Sequence, residues 1–417
     1  MTERARRPEG LSAYIAVTGA YWAFMLTDGA LRMLVLLQFH IFGFSPVQLA
    51  YLFLLYEVAG IVTNLSAGWI AARFGLAFTL YAGLILQVVA LGLLTMLDPS
   101  WPMAGAVVFV MLVQGVSGVA KDLAKMSSKS AVKLLAPSQD GALFRWVALL
   151  TGSKNMVKGL GFLLGAALLG TVGFFGAILG MAVVLVVILL ALLLLMPPGL
   201  PGGRKSARFS EVFSDDARVN WLSAARLFLF GARDVWFVVG IPIYFYAVLS
   251  DGTVDGKREA FFLIGSFMAG WIILYGIVQA NGPRILRHTG RSEGDLAAAA
   301  RHWAWALAIV PLVLTIASLF ATSSQDWFTW TLVGGLLVFG ALFAVNSSLH
   351  SYLILAFSTS ERVTMDVGFY YMANAMGRLV GTVLSGLTYQ IGGLSLMLGT
   401  ATVMVILSAL TVARIRA

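Results

Sequence analysis

Six basic and three acidic residues fall inside long apolar runs of this 417-residue sequence: Arg32, Lys154, Lys158, Arg226, Arg233 and Arg378, with Asp28, Glu57 and Asp234. A charge at bilayer depth costs roughly 2.5–3.5 kcal/mol on insertion scales, so six lipid-facing cations would cost on the order of 15 kcal/mol. That is as large as a typical total folding stability. These side chains must therefore turn toward a polar cavity or toward one another.

Spacing groups them. Asp28 and Arg32 stand at i and i+4 and share a helix face, as do Lys154 and Lys158, which have Thr151 and Asn155 beside them. Arg226 and Arg233 are two helical turns apart, with Asp234 next in the chain, and Asn374 and Arg378 form another i, i+4 pair. Six cations against three carboxylates leave a positive excess, which suits a compact, multiply charged anion. Arginine can fork two bonds onto a phosphate-like oxyanion, while lysine acts as a point charge. The competing explanation is interhelical ion pairing or snorkelling near helix ends, and it weighs most at Arg226, close to the edge of its run.

Two further patterns bear on chemistry. Lys121, Lys125, Lys129 and Lys133 recur every fourth residue beside Asp122, Ser127 and Ser128. On a helix that outruns the membrane this stripe would make a funnel for anions; otherwise it is a loop of ordinary positive charge. Glu57 and Asp28 are buried carboxylates able to load and release a proton. A neighbouring Arg or Lys would hold such a group ionised, so Glu57, with no cation within a turn of its own run, is the stronger candidate. His40, at the outer end of the first run, and His350, at the inner end of the tenth, read as interface residues.

The elements that position these residues follow from composition. Apolar residues make up 59% of the chain, charged residues 11%, and the mean hydropathy is +0.89. Soluble domains carry about 25% charge, so most of this exterior must face lipid. Apolar runs long enough to span at roughly 20 residues each fall near 13–38, 47–72, 76–97, 102–124, 146–169 and 174–196. They resume near 219–248, 260–282, 302–321, 327–350, 366–389 and 394–413. The expected fold is an all-α polytopic membrane protein of twelve helices: an N-terminal half over 1–196, a Pro- and Gly-rich central loop over 197–218, and a C-terminal half over 219–417.

Charge asymmetry sets the orientation. With both termini inside, the inner segments hold Arg4, Arg6, Arg7, Arg73, the four striped lysines, Arg145, Arg204, Lys205, Arg208, Arg218, Arg284, Arg287, Arg291, Arg301, Arg362, Arg414 and Arg416. The outer loops hold Lys257 and Arg258. The first run is too long for a signal-peptide core and lacks a small-residue cleavage site, so it is expected to be retained. The net charge of +9 follows the membrane and does not point to nucleic acid. The sequence contains no cysteine, which removes disulfides, thiolate metal sites and thiol-bound arsenite, and no cofactor or metal is expected. Four scattered histidines, with no H-E-x-x-H and no G-x-S-x-G, make no recognisable catalytic site, so a membrane-embedded enzyme or sensor is disfavoured.

Two equal six-span halves resemble the plan of the major facilitator superfamily. The loop from Gly68 to Gly75, GWIAARFG, is similar to that superfamily's G-x-L-A-D-R-x-G signature: Gly68, Ala71, Arg73 and Gly75 agree, while Ala72 replaces the usual acid. The resemblance implies that spans one, four, seven and ten line a central cavity, with five and eleven beside it. Longer stretches, among them LTDGALRMLVLLQFH (26–40), QGVSGVAKDLAKMSSKSAVKL (114–134), LFRWVALLTGSKNMVKGLGFLLG (143–165) and LSAARLFLFGARDVWFVVGIP (222–242), resemble the organoarsenical efflux permeases of bacterial arsenic-resistance operons. That resemblance implies a monomeric inner-membrane exporter of 1-arseno-3-phosphoglycerate, coupled to protons and partnered functionally by a glyceraldehyde-phosphate dehydrogenase. The substrate-binding set would be Arg32, Lys121, Lys125, Lys154, Lys158, Arg226, Arg233, Asn374 and Arg378. An antiporter for a glycerol or sugar phosphate would need the same positive cavity.

Overall fold

The computed structural model describes residues 11–98, 100–135, 142–196, 214–286, 292–321, 326–358 and 363–415. Most of the expected central loop and the basic residues Arg4, Arg6, Arg7, Arg204, Lys205, Arg208, Arg287, Arg291, Arg362 and Arg416 lie outside them. The described chain is helical: α1 (Leu11–Ile41), α2 (Pro46–Leu52), α3 (Leu54–Phe74), α4 (Leu76–Leu94), α5 (Met103–Leu135), α6 (Ala142–Thr171) and α7 (Gly173–Leu195) build the first half. The second half holds α8 (Ala217–Phe237), α9 (Gly240–Leu249), α10 (Val254–Ala280), the short α11 (Gly282–Ile285), α12 (Glu293–Phe320), α13 (Asp326–Phe357) and α14 (Val363–Val412).

Ten segments are long and apolar enough to cross a membrane by themselves. The polar α6 supplies another crossing, and the 50-residue α14 supplies two, because it folds back at Gly392 and Gly393. Twelve crossings result, and residues 11 and 415 end on the same side of the bundle. Gly393 has φ +60° and ψ −153°, a conformation open to glycine alone. Gly173, at the matching turn between α6 and α7, also has a positive φ of 74°. The last hairpin of each half thus turns on a glycine.

Proline explains a second irregularity. The seventh crossing is split into α8 and α9 at Val238 and Val239. Pro242 has no N–H to give and its ring crowds the carbonyl four residues back, at Val238. Phe237 and Val238, at this break, line the central cavity.

Lipid-facing helices carry their apolar side chains outward. Leu194 of α7 and Phe320 of α12 are 82% and 78% exposed, which would be untenable in water and is the expected state in hydrocarbon. The halves meet along α6 with α10 and along α2 and α3 with α14. Small residues allow this approach. A Cβ on Gly159 would lie 2.9 Å from the Ala269 carbonyl of α10, and one on Gly152 2.8 Å from that of Gly276. Gly161 and Gly165 face the other way, against the Leu26 and Ala30 carbonyls of α1 within the same half.

Candidate functional site

The halves enclose a central cavity, and every basic residue singled out from the sequence for ligand binding lines it. Arg32 comes from α1, Lys121 and Lys125 from α5, Lys154 and Lys158 from α6, Arg226 and Arg233 from α8, and Asn374 and Arg378 from α14. Asp234 also reaches its wall. Asp28 and Glu57 sit behind it, 3% and 0% exposed. The lining is wider than the spans that the family resemblance implied, since Asn64 of α3 and Tyr275 and Gln279 of α10 contribute as well.

The charges form two groups. In the first, Glu57 Oε1 accepts from Arg378 Nη2 at 2.6 Å and from Arg32 Nη1 at 3.3 Å. Arg378 Nε lies 3.4 Å from Asp234 Oδ2, and Asp234 Oδ1 pairs with Arg233 at 2.5 Å. A line of five charges therefore runs from Arg32 through Glu57, Arg378 and Asp234 to Arg233, crossing from one half to the other at Glu57 and Arg378. In the second group, Lys158 Nζ donates to Asp28 Oδ2 at 2.6 Å, and the Tyr56 hydroxyl donates to Asp28 Oδ1 at the same distance. Lys125 donates to Asp122 Oδ1 at 2.5 Å and to Asn64, while Lys121 lies 3.6 Å from Asp122 Oδ2. The Lys121 ammonium also sits 4.1 Å from the centre of the Tyr56 ring, a cation–π contact that joins the two parts of this second group.

These pairings revise three expectations. Asp28 and Arg32 share a face, yet each takes its ion-pair partner from another helix. Glu57, expected to lack a cation, touches two guanidiniums, one 25 and one 321 residues away in sequence. The acidic inventory also grows, because Asp122 is fully buried. Among the described residues, eight cations line the cavity (Arg32, Lys121, Lys125, Lys154, Lys158, Arg226, Arg233 and Arg378) against four carboxylates that line it or pair with its cations (Asp28, Glu57, Asp122 and Asp234), a surplus of four positive charges there.

Arg226 is 4% exposed, so it does not snorkel. Its Nε donates to Asn374 Oδ1 at 3.1 Å and its Nη1 to the Ser347 carbonyl and hydroxyl at 3.2 and 3.1 Å. The guanidinium lies 4.0 Å from the Phe230 ring centre. Among the described residues no carboxylate is within ion-pair distance of Arg226, so its charge stays available to a ligand. Ser347 also meets Tyr275 and Gln279, and Gln279 accepts from Asn155 of the other half at 2.8 Å. This second polar bridge was not foreseen; the only signal for it was a run of polar residues, Asn346 to Ser348, inside an apolar span.

The remaining expectations divide. Helix α5 continues to Leu135, so the lysine stripe is helical, although only Lys121 and Lys125 have described side chains and Lys129 and Lys133 lie outside that description. Arg73 is exposed and stacks over Trp69 at 5.5 Å, away from the cavity. Gly75 caps α4 with φ +91°, which requires glycine, and of Gly68 only its place in α3 is described. His350 is wholly buried in the second half, contrary to an interface position. His40 packs edge-on against Tyr246 of α9 at 4.9 Å, where the halves touch at the end opposite the termini.

No family model and no curated sequence matches the chain. Solved structures do. A POT family transporter in complex with 5-aminolevulinic acid aligns over 97% of this chain and 95% of its own, at 16% identity and a TM-score of 0.71. The nucleoside transporter NupG aligns over 97% and 98% at 13% identity and 0.69, and a bacterial homologue of the iron transporter ferroportin, outward-facing, over 96% and 98% at 16% and 0.66. With twelve crossings in two halves of six, the chain is a multi-pass membrane protein of the major-facilitator fold.

Proposed function

We propose that this protein is an exporter of a compact organic polyanion carrying arsenate and phosphate groups, most specifically 1-arseno-3-phosphoglycerate, working by alternating access. The observation that carries the reading is the cavity's surplus of four positive charges. Arg226 in particular presents a guanidinium that, among the described residues, hydrogen-bonds to neutral acceptors, and such a group gains most from a doubly bonded oxyanion. A chain without cysteine has no thiol for trivalent arsenic, so an oxyanion ester is the form of arsenic that this chemistry fits.

Alternating access is supported by a fold in which two halves can rock about a central site. The acyl arsenate would be made in the cell by a glyceraldehyde-phosphate dehydrogenase using arsenate in place of phosphate, and proton coupling is assigned to Glu57. The test is growth of an arsenate-sensitive bacterial host expressing the protein with and without that dehydrogenase. Protection is expected only when both are present. Protection by neither combination overturns the arsenic reading and leaves the glycerol- or sugar-phosphate antiporter, which uptake of those esters into everted vesicles would reveal.

A further inference from the structure

The geometry points to Glu57 as a tethered stand-in for the anion, and to its pair with Arg378 as the latch that makes exchange obligatory. This rests on the anion-transport reading above and adds the contact between the halves through which Glu57 would couple the cargo to the opposing ion.

The bonding around Glu57 is lopsided. Its Oε1 accepts three contacts, from Arg32 Nη1 and Nη2 and from Arg378 Nη2, whereas its Oε2 is buried and accepts none. A carboxylate that faced a guanidinium squarely would use both oxygens. Arg378 is under-used in the same way. Its Nε makes no hydrogen bond, and neither does Asp234 Oδ2 opposite it at 3.4 Å. Each carboxylate thus holds Arg378 by a single edge, while the guanidinium itself opens on the cavity. An arriving phosphate or arsenate group can offer two oxygens and take Arg378 in the forked geometry that neither acid achieves.

That substitution has a mechanical consequence. Glu57 belongs to α3 in the first half and Arg378 to α14 in the second, so their pair ties the halves together. Two events undo it. An anion can take Arg378 from Glu57, or a proton can convert the Glu57 carboxylate to the neutral acid and leave Arg378 with Asp234. The groups that face Glu57 from its surroundings are Arg32, Arg378 and the Lys121 ammonium, with Tyr56 beside it. An empty, unprotonated carrier keeps its latch. The outward leg therefore carries the anion and the return leg carries a proton on Glu57.

Glu57→Gln imitates the protonated state and removes the competitor for Arg378. Because an internal competitor lowers apparent affinity by the fraction of time it occupies the site, the variant should bind 3-phosphoglycerate more tightly, by at least about fivefold, the lower end of ordinary coupling energies. In proteoliposomes it should equilibrate labelled 3-phosphoglycerate but no longer respond to a pH gradient. The absence of native cysteine allows a direct reading of the latch: spin labels at Phe42→Cys and Ser250→Cys report the separation of the halves at one end. Without ligand, Glu57→Gln should add a wider distance population. Asp234→Asn, which leaves the contact between the halves in place, should not.

Unchanged affinity, an intact response to the pH gradient, or equal label distances in Glu57→Gln and the parent overturns the proposal. So does an Asp234→Asn variant that opens as far as Glu57→Gln. If the parent protein binds neither 3-phosphoglycerate nor arsenate, the cargo assignment fails, while the label distances still decide on the latch.

Discussion

Asp28 shows how the site is held at the level of single side chains. Its two oxygens are divided between the Lys158 ammonium and the Tyr56 hydroxyl, each at 2.6 Å, on three different crossings. Removing one member of a buried pair strands the other, which typically costs about 3–5 kcal/mol, whereas replacing both is close to neutral. Lys158→Ala should therefore lower the melting temperature of the purified protein in detergent, and Asp28→Asn combined with Lys158→Gln should recover most of the loss. Equal melting of the single and double variants would show that the pair is not coupled. Lys154→Ala and Arg233→Ala are expected to differ from this: each should abolish anion transport while membrane content, read by immunoblot, stays at the parental level. Helical spacing made the existence of a cationic interior legible, because it depends only on charges in apolar runs. It could not show who pairs with whom. Glu57 had no cation within a turn of its own helix, and both of its partners arrive from other helices. Asp122 was hidden differently, inside a lysine-rich stretch whose overall charge suggested a solvated surface.

Among the elements, α6 is the one that serves both halves. One face packs Gly161 and Gly165 on α1, the other packs Gly152 and Gly159 on α10, and Lys154 and Lys158 project into the cavity between. Overpacking a tight contact costs about 1–3 kcal/mol, but its consequence depends on which contact is filled. Gly161→Leu presses on the Leu26 carbonyl inside the first half and should lower the melting temperature. Gly159→Leu presses on α10 across the contact between the halves, which the proposed rocking would open, so transport should fall more than stability does. Similar losses of both in the two variants would remove this distinction. Pro242 makes a related case. Pro242→Ala allows α8 and α9 to join through Val238 and Val239, and a straighter helix at the cavity wall should slow transport in vesicles without reducing insertion. The helix break was readable from that proline. The direction faced by each glycine of α6 was not, because a sequence shows that small residues recur but not which neighbour each one meets.

For the whole molecule, the twelve crossings leave one binary choice, which side of the membrane receives the termini. Residues 11 and 415 share a side, and from the charge distribution we propose that this side is the cytoplasm. The choice decides which compartment the lysine-bearing end of α5 faces. An anion leaving a cell with an inside-negative potential gains about 2.3 kcal/mol per charge per 100 mV, so the potential would drive the proposed export of a polyanion and oppose its uptake. The orientation is open to measurement in a chain that contains no cysteine of its own. Ser100 lies between α4 and α5 at the end opposite the termini, and Ala413 lies just past α14; both are exposed. In intact cells Ser100→Cys should react with a membrane-impermeant maleimide, whereas Ala413→Cys should react only after permeabilisation. The reverse pattern would place the lysine-bearing end of α5 on the outside, where it could not gather an anion from the cytoplasm, and would count against the proposed export.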